Sequence, residues 1–282
     1  MGERLCNINN GGLVNMPSVV QLQSLKGKIS MVTGGCRNFG REIADGLAEA
    51  GSEAVIITSR SPETAKEAAA ELEKTHHVPF VPMALDLRSE ESVDKLFADI
   101  KERFGRLDVL VNNAGGHSKT ACGLLEKESL SGWHDFIEAN LTGTFLMLRD
   151  YARLMMPQHR GSVVNIASMA GVVGRDRRIY PEGMTPNPVA YSAAKAGIIG
   201  LTYDVAAYLG PYGIRVNAIS PGGFERTQPA AFIHDYSELT MLRRMGRQGY
   251  DLKGAVVFLA SDASGYVTGH NLLVDGGFTR YK

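Results

Sequence analysis

The sequence has few cysteines, no excess of charge and no long hydrophobic run. Cys6, Cys36 and Cys122 show neither paired spacing nor metal-ligand spacing, which favours free thiols in a reducing compartment and indicates no metal site. Thirty basic and thirty acidic residues cancel, so the charge indicates neither nucleic acid nor an anionic membrane as a partner. No apolar run approaches the ~18 residues of a membrane span, and no signal-peptide region is apparent. We therefore expect a cytoplasmic protein that acts on a small molecule.

The chain does contain a regular alternation of short apolar runs and helical segments. Seven runs predict buried strands, at 29–33, 54–58, 79–85, 108–112, 162–168, 215–220 and 271–275. Intervening segments such as 62–74, 90–104 and about 132–157 predict helices. This alternation indicates parallel strands joined by right-handed crossovers. We predict an α/β fold, a single doubly wound Rossmann-type domain over residues 25–282 with a seven-stranded parallel sheet and helices on both faces. Residues 1–24 are polar and aperiodic, so we expect a flexible extension.

The stretch AYSAAKAG places Tyr191 and Lys195 four residues apart in a segment that favours helix. Side chains at this spacing share one helical face, about 5–6 Å apart at Cβ. A cation beside a phenol favours the phenolate, and lowering a tyrosine pKa from about 10 to about 7 takes roughly 4 kcal/mol. By itself the pair also fits a packed aromatic ring and a solvated lysine on an ordinary helix.

Five further motifs accompany this pair, and together they carry a family resemblance. They are TGGCRNFG (Thr33–Gly40), NNAGG (Asn112–Gly116), NLTG (Asn140–Gly143), NIAS (Asn165–Ser168) and SPGG (Ser220–Gly223). In this order the chain resembles the short-chain dehydrogenase/reductase family, from about Lys26 to Phe278. The resemblance implies an NAD(P)-dependent oxidoreductase that interconverts a secondary alcohol and a ketone by hydride transfer.

The resemblance also implies the roles of four catalytic residues. Tyr191 would be the general acid or base, and Lys195 would lower its pKa and hold the ribose hydroxyls. Ser168 would hydrogen-bond the substrate oxygen, although it could also only cap its strand. Asn140, within a predicted long helix where asparagine is a poor helix former, would bind a water that links Lys195 to solvent.

A cofactor site follows from the same resemblance. Its residues would be Gly34, Arg37, Asn38, Phe39, Gly40, Ser59, Arg60, Asp86, Leu87, Asn113, Ala114, Gly115, Tyr191, Lys195, Pro221 and Gly222. The glycine-rich turn between strand and helix suits a pyrophosphate. Asp86 or Ser89 could equally serve as a simple helix N-cap here, and Asn113 could equally bridge strands.

Two departures from the family pattern affect this site. Asn38 replaces the middle glycine of the family loop TGxxxGxG, and it is the non-glycine residue that best tolerates positive φ. Thr227 comes one residue later than expected, with Arg226 in the matching place.

The end of the second strand indicates which nicotinamide cofactor is used. An enzyme that grips the NAD ribose usually has an acidic residue here, whereas this chain has Ser59-Arg60. With Arg37 in the glycine loop, this pattern favours the 2′-phosphate of NADP(H) over NAD(H). Two surface arginines at the sheet edge would be the alternative.

Substrate contacts are expected from Ser168, His117, Arg175 and Arg178, the last two on the long loop 171–188. A lid over 223–245 would add the polar side chains of Gln228, His234, Asp235 and Arg243. These features most resemble family members of carbohydrate metabolism that act on sugars, sugar acids or polyols, such as gluconate 5-dehydrogenases. The arginine-rich loop also fits a solvated surface or a subunit contact.

Three other functions and an assembly remain open from the sequence. The functions are a 3-oxoacyl thioester reductase, a hydrophobic ketone reductase and a non-catalytic nucleotide-binding regulator. The resemblance implies a homo-oligomer, a tetramer or a dimer, through the two long helices and the last strand.

Overall fold

One parallel sheet organises the protein. The computed structural model describes residues 16–115 and 123–281. The strands are β1 (Ile29–Val32), β2 (Ala54–Ser59), β3 (Phe80–Ala84), β4 (Val109–Asn112), β5 (Gly161–Ile166), β6 (Ile214–Pro221) and β7 (Asn271–Val274), in the spatial order β3-β2-β1-β4-β5-β6-β7. Every pair of neighbouring strands is parallel. The predicted fold is therefore confirmed, with each predicted strand present.

Helices connect the strands and cover both faces of the sheet. They are α1 (Val19–Gln23), α2 (Asn38–Glu49), α3 (Pro62–Glu73), α4 (Glu90–Phe104), α5 (Leu130–Ile137), α6 (Gly143–Met155), α7 (Val189–Leu209), α8 (Ala230–Glu238) and α9 (Lys253–Ala260). Serine hydroxyls cap four of them, each accepting from the backbone amide three residues later: Ser18 caps α1, Ser61 α3, Ser89 α4 and Ser129 α5. In the described part of the chain, none of these helices is long and apolar enough to cross a membrane.

The apolar strand residues divide between two cores, one on each face of the sheet. Within β1, Val32 packs into the core formed with α2, α3 and α9, whereas Met31 packs into the core formed with α4, α6 and the end of α7. This division follows from the alternation of side chains along a strand. Strands covered on both faces read as continuous apolar runs, which is why the sequence pattern located them.

The predicted helix at about 132–157 is not continuous. Between α5 and α6 the chain forms a π-turn over Glu138–Thr142, and Asn140 lies within it, 3% exposed. The side-chain nitrogen Nδ2 of Asn140 donates to the backbone carbonyl of Phe136 at 2.9 Å. The backbone carbonyl of Asn140 accepts from Thr144 Oγ1 at 2.6 Å. Single π-turns within helices frequently mark functional sites.

The short helix α1 falls within the segment for which the sequence predicts no regular structure. A capping box begins it, because Ser18 Oγ accepts from the amide of Gln21 and Gln21 Oε1 accepts from the amide of Ser18. None of its residues is buried. Burial begins at Leu25, which is 0% exposed and whose amide donates to the carbonyl of Ala50. The flexibility of residues 1–24 and the domain boundary after them stay predictions.

Candidate active site

The glycine-rich loop between β1 and α2 has the backbone that the sequence predicts. Asn38 adopts a φ of 50°, as its place at the middle glycine requires, and Gly34 has a φ of 66°. A Cβ on Gly40 would lie 2.0 Å from the carbonyl oxygen of Gly34 and 2.7 Å from Asn113 Nδ2. The helix can approach the loop this closely only because residue 40 has no side chain.

This loop borders a cavity of about 880 Å³ at the carboxyl ends of the strands, here called the cofactor cavity. Thirteen of the residues predicted to bind cofactor line it: Gly34, Arg37, Asn38, Phe39, Gly40, Ser59, Arg60, Asp86, Leu87, Asn113, Ala114, Gly115 and Gly222. The lining residues that the sequence analysis missed include Cys36, Thr58, Ser61, Thr64, Leu85, Arg88, Ala139 and Phe224. Many of these directly follow a strand or begin a helix, so proximity to the motif residues could have indicated them.

The cofactor cavity fits a nicotinamide dinucleotide. Its volume is in the range of small-molecule sites, and the glycine-rich loop and the N-terminus of α2, which favours an anion, both line it. At the end of β2 the cofactor cavity is lined by Ser59, Arg60 and Ser61, and Arg37 lines the same cavity. Two guanidinium groups and several hydroxyls are donors suited to a phosphate.

Two predicted contacts have structural roles as well. Asn113 Nδ2 donates to the carbonyl of Thr33 at 2.9 Å, which ties β4 to β1, while the residue also lines the cavity. Asp86 does not cap α4, since Ser89 does so; its Oδ1 accepts from the amide of Arg88. The bridging alternative for Asn113 therefore coexists with a place in the cavity. Of the two residues that could cap α4, Ser89 does so and Asp86 does not.

Arg226 also lines the cofactor cavity. Its guanidinium carbon is 4.6 Å from the centroid of the Phe39 ring, and Phe39 in turn packs edge-on against Phe224 at 4.7 Å. Thr227 is exposed and does not line the cavity. Arg226, and not Thr227, therefore lines the cofactor cavity at this place.

The four predicted catalytic residues meet in an adjoining cavity of about 220 Å³, here called the catalytic cavity. Tyr191, Lys195, Ser168 and Asn140 all line it, and so do Asn113, Gly115, Pro221 and Gly222. Phe39, Asn113, Gly115 and Gly222 belong to both cavities, which makes the two continuous. A dinucleotide in the larger cavity would therefore present one end to the tetrad.

Ser168 follows β5 and lines the catalytic cavity together with Tyr191. Its buried hydroxyl oxygen accepts from the amide of Ala170 at 3.1 Å, so it caps the turn that follows β5. The same hydroxyl lowers the pKa of the Tyr191 phenol. The phenol ring packs edge-on against Phe136, with 6.2 Å between ring centroids. Capping and an effect on Tyr191 are compatible, because a hydroxyl both donates and accepts.

Burial dominates the ionisation of the two central groups. It raises the pKa of Tyr191, and the hydrogen bond from Ser168 and then the charge of Arg175 oppose this rise. Burial likewise lowers the pKa of Lys195 to about 8. The ammonium Nζ of Lys195 donates to the carbonyl of Ile166 at 2.7 Å and lies 5.9 Å from the Tyr191 ring centroid. The sequence analysis assigned the lowering of the Tyr191 pKa to Lys195 and missed the contribution of Arg175.

The structure separates the two arginines that were predicted to bind substrate. Arg175 lies at the start of α7, where its Nη2 donates to the carbonyl of Asn187 at 2.7 Å. Arg178 instead pairs with Asp176 at 2.6 Å and its side chain is 89% exposed. A local ion pair thus holds Arg178 in solvent, and its contact with substrate stays a prediction. His117 lies outside the described residues.

The lid is less polar towards the site than its sequence suggests. His234 pairs with Asp235 at 3.0 Å, and Arg243 pairs with Glu238, both at the surface. The buried face of α8 presents Phe232 and Tyr236, which pack with Met169 and Met245. The prediction that His234, Asp235 and Arg243 face the substrate is therefore wrong, since the helix directs its apolar side inward.

Tyr236 links the lid helix α8 to the two segments that follow β5 and β6 beside the catalytic cavity. Its hydroxyl accepts from the amide of Gly223 at 2.5 Å and lies 3.1 Å from Met169 Sδ. Gly223 follows the Pro221-Gly222 turn, and Met169 follows Ser168. Of the predicted polar lid residues, Gln228 lines the cofactor cavity, and its Nε2 donates to the carbonyl of Phe224 at 2.9 Å.

Comparisons with known proteins agree with this geometry. A family profile described as enoyl-(acyl carrier protein) reductase matches residues 34–279. The 3-oxoacyl-[acyl-carrier-protein] reductase FabG of Aquifex aeolicus (strain VF5) is 38% identical over 257 residues, which are 90% of this chain and 98% of that protein. The chain therefore belongs to the short-chain dehydrogenase/reductase family, and it is an oxidoreductase that acts on CH–OH groups.

Solved structures of similar proteins differ in substrate. A gluconate 5-dehydrogenase from Burkholderia cenocepacia J2315 in complex with NADP and tartrate has a TM-score of 0.83 and 30% identity, over 93% of this chain and 99% of that chain. The NADPH-dependent 3-quinuclidinone reductase from Rhodotorula rubra has a TM-score of 0.81 and 32% identity, over 95% and 98% of the two chains. The family is common to all three relatives, whereas their substrates are not.

Proposed function

We propose that this protein is an NADP(H)-dependent oxidoreductase that interconverts a secondary alcohol and a ketone on a sugar, sugar acid or polyol. The observation that carries the proposal is the convergence of Tyr191, Lys195, Ser168 and Asn140 on one small cavity that opens into the cofactor cavity. Alcohol and ketone chemistry at such a site needs a proton donor or acceptor at the substrate oxygen, and Tyr191 is the group in that position.

The chain contributes proton transfer and positioning. In ketone reduction the Tyr191 hydroxyl donates its proton to the substrate oxygen, and in alcohol oxidation the phenolate accepts it. The Ser168 hydroxyl, which lines the same cavity as Tyr191, donates to the same substrate oxygen and stabilises the negative charge that develops there. A bound nicotinamide would supply or accept the hydride. Lys195, whose pKa burial lowers to about 8, is suited to exchanging a proton along a chain through Asn140.

The preference for NADP(H) rests on the lining at the end of β2. Arg37 and Arg60 face the cofactor cavity, and no acidic residue stands at Ser59 or Ser61 to bind the ribose diol. A 2′-phosphate would gain charge-assisted hydrogen bonds from both guanidinium groups. The relative from Burkholderia cenocepacia was solved with NADP, which agrees with this assignment.

The choice of a small polar substrate rests on the arginines near the site. A partner such as an acidic carrier protein needs unpaired positive charge at the cavity mouth. Here Arg178 pairs with Asp176, Arg243 with Glu238, and Arg244 and Arg247 both pair with Asp251. These ion pairs reduce the unpaired positive charge of the loop and lid, where Arg175 and Arg177 bind backbone carbonyls instead of carboxylates, and this reduction favours the sugar or sugar-acid class.

A 3-oxoacyl thioester reductase is the second candidate. It is supported by the 38% identity to the FabG protein of Aquifex aeolicus and by the apolar cluster beneath the lid. That cluster, with Phe232 and Tyr236 on α8, would tolerate an acyl chain better than a polar lid would.

A homo-oligomer, dimer or tetramer, belongs to the proposal. Phe145 on α6 and Tyr203 and Tyr208 on α7 are 47%, 50% and 65% exposed. Large apolar side chains on neighbouring helices are typical of surfaces that associate. Helix α7 carries Tyr191 and Lys195, and α6 follows the π-turn that contains Asn140. Association through these helices would therefore restrict the motion of the catalytic residues.

The test compares substrates under one cofactor. Initial rates with NADPH would be measured for 5-keto-D-gluconate, for D-fructose and for acetoacetyl-CoA, and the Tyr191→Phe variant would report the background. The proposal expects kcat/KM to be highest for the keto acid or the ketose. A higher kcat/KM for acetoacetyl-CoA would replace it with the thioester candidate.

A further inference from the structure

Arg175 is held against the beginning of the helix that carries Tyr191. Its Nη2 donates to the carbonyl of Asn187 at 2.7 Å, and lies 3.5 Å from both the carbonyl of Pro188 and Ser192 Oγ. Ser192 is the residue next to Tyr191. The guanidinium is thus fixed by one edge beside the first turn of α7.

The other edge of the same guanidinium is unusual. Its Nη1 is shut off from solvent and has no hydrogen-bond partner among the described residues. A buried, unpaired cationic nitrogen is unfavourable. It stands, moreover, at a helix N-terminus, where the macrodipole already favours negative charge. Such a placement is costly for folding, so it calls for a role at the neighbouring site.

Among the described residues, the charged and titratable groups that act on the Tyr191 phenol or lie beside its ring are Arg175, the phenol of Tyr180 and the ammonium of Lys195. His117 and Lys119 lie outside the described residues. Lys195 directs its Nζ to the carbonyl of Ile166, and a buried lysine can lose its proton. An arginine remains charged at any pH that the protein meets. Unlike a lysine, it therefore keeps its positive charge when it is buried.

We propose that Arg175 is a second cation of the acid/base centre, a positioning residue whose guanidinium stabilises the phenolate of Tyr191 through space. The inference rests on the acid/base role of Tyr191 in the proposed function. It differs from the substrate contact that the sequence predicted, because a nitrogen shut off from solvent and absent from the lining of the catalytic cavity is poorly placed to meet a substrate. The charge of Arg175 also lowers the pKa of Tyr191 against the rise that burial causes.

The first experiment needs no substrate. The phenolate absorbance of Tyr191 would be obtained by titrating the protein with base and subtracting the same titration of Tyr191→Phe. The subtraction is repeated in an Arg175→Gln background. We expect the Tyr191 midpoint to move to higher pH in Arg175→Gln and to return most of the way in Arg175→Lys, which keeps the charge. Arg178→Gln, in the same loop but exposed and paired with Asp176, is the control and should leave the midpoint unchanged.

The second experiment follows alcohol oxidation against pH in the complete enzyme, with NADP and D-gluconate. Arg175→Gln should lower kcat/KM at low pH, about tenfold for each unit by which the midpoint rises, and the loss should disappear once the phenolate is formed. Thermal unfolding of each variant would confirm that it is folded.

Two results would overturn the proposal. One is an unchanged Tyr191 midpoint in folded Arg175→Gln. The other is a loss of kcat/KM that is the same at every pH, which would make Arg175 a substrate-binding or loop-anchoring residue. If no variant and no wild-type sample turns over D-gluconate, the proposed substrate fails, and the titration still decides the role of Arg175.

Discussion

Arg60 offers the sharpest test of the cofactor assignment. Replacing Arg60 by alanine removes one of the two guanidinium groups that face the end of β2 in the cofactor cavity. A hydrogen bond to a charged group contributes roughly 1.5–3 kcal/mol. Because Arg60 is exposed, solvent screening places its contribution at the lower end, about 1.5 kcal/mol. This predicts a roughly tenfold weaker affinity for NADPH.

The same substitution should barely affect NADH, which has no 2′-phosphate. Fluorescence titration of the purified protein with each cofactor gives both dissociation constants, and their ratio is the quantity of interest. Arg41→Ala is a matched control, since Arg41 pairs with Glu71 on the surface and does not line the cavity. Equal losses for NADPH and NADH in Arg60→Ala would refute the reasoning and reassign Arg60 to the structure of the sheet edge.

Three further predictions follow from the site. Tyr191→Phe should abolish turnover, by at least the 10²–10⁴-fold that a general acid or base supplies, with NADPH affinity nearly unchanged in a binding titration; appreciable activity would remove Tyr191 from that role. Gly40→Ala should abolish NADPH binding, because its Cβ would lie 2.0 Å from the carbonyl oxygen of Gly34. Gly200→Ala on α7 meets nothing within 4 Å and should be neutral or stabilising in the same titration and in thermal unfolding. Lys195→Met should be inactive yet no less stable in thermal unfolding near neutral pH, where the lysine is protonated in both states. Since burial lowers its pKa to about 8, its charged form is disfavoured by folding; a large drop in Tm would contradict that sign.

The fold could be predicted because its signals are local and repeated. Strands buried on both faces are continuous apolar runs, and Asn38 could be assigned positive φ from residue type alone. The four catalytic residues could be predicted only from the family resemblance of their motifs. The geometry of a parallel sheet accounts for Ser168 alone, which follows the carboxyl end of β5, whereas Asn140 lies in the π-turn and Tyr191 and Lys195 lie on α7.

Side-chain partners could not be predicted in the same way. The π-turn at Asn140 inserts one residue into a helix whose sequence period hardly changes. Arg175 and Arg178 are three residues apart in one loop, yet one is anchored to carbonyls beside Tyr191 and the other forms an ion pair in solvent. Composition gives both the same charge, whereas the direction of each side chain depends on the turn between them.

The most direct test of the central claim is the rate of NADPH consumption with 5-keto-D-gluconate, measured for the wild-type protein and for Tyr191→Phe at equal cofactor concentrations well below saturation. The account predicts turnover by the wild type that NADH supports far less well and that Tyr191→Phe loses, although the variant still binds NADPH. Comparable turnover by Tyr191→Phe, or equal rates with NADH and NADPH, would contradict it.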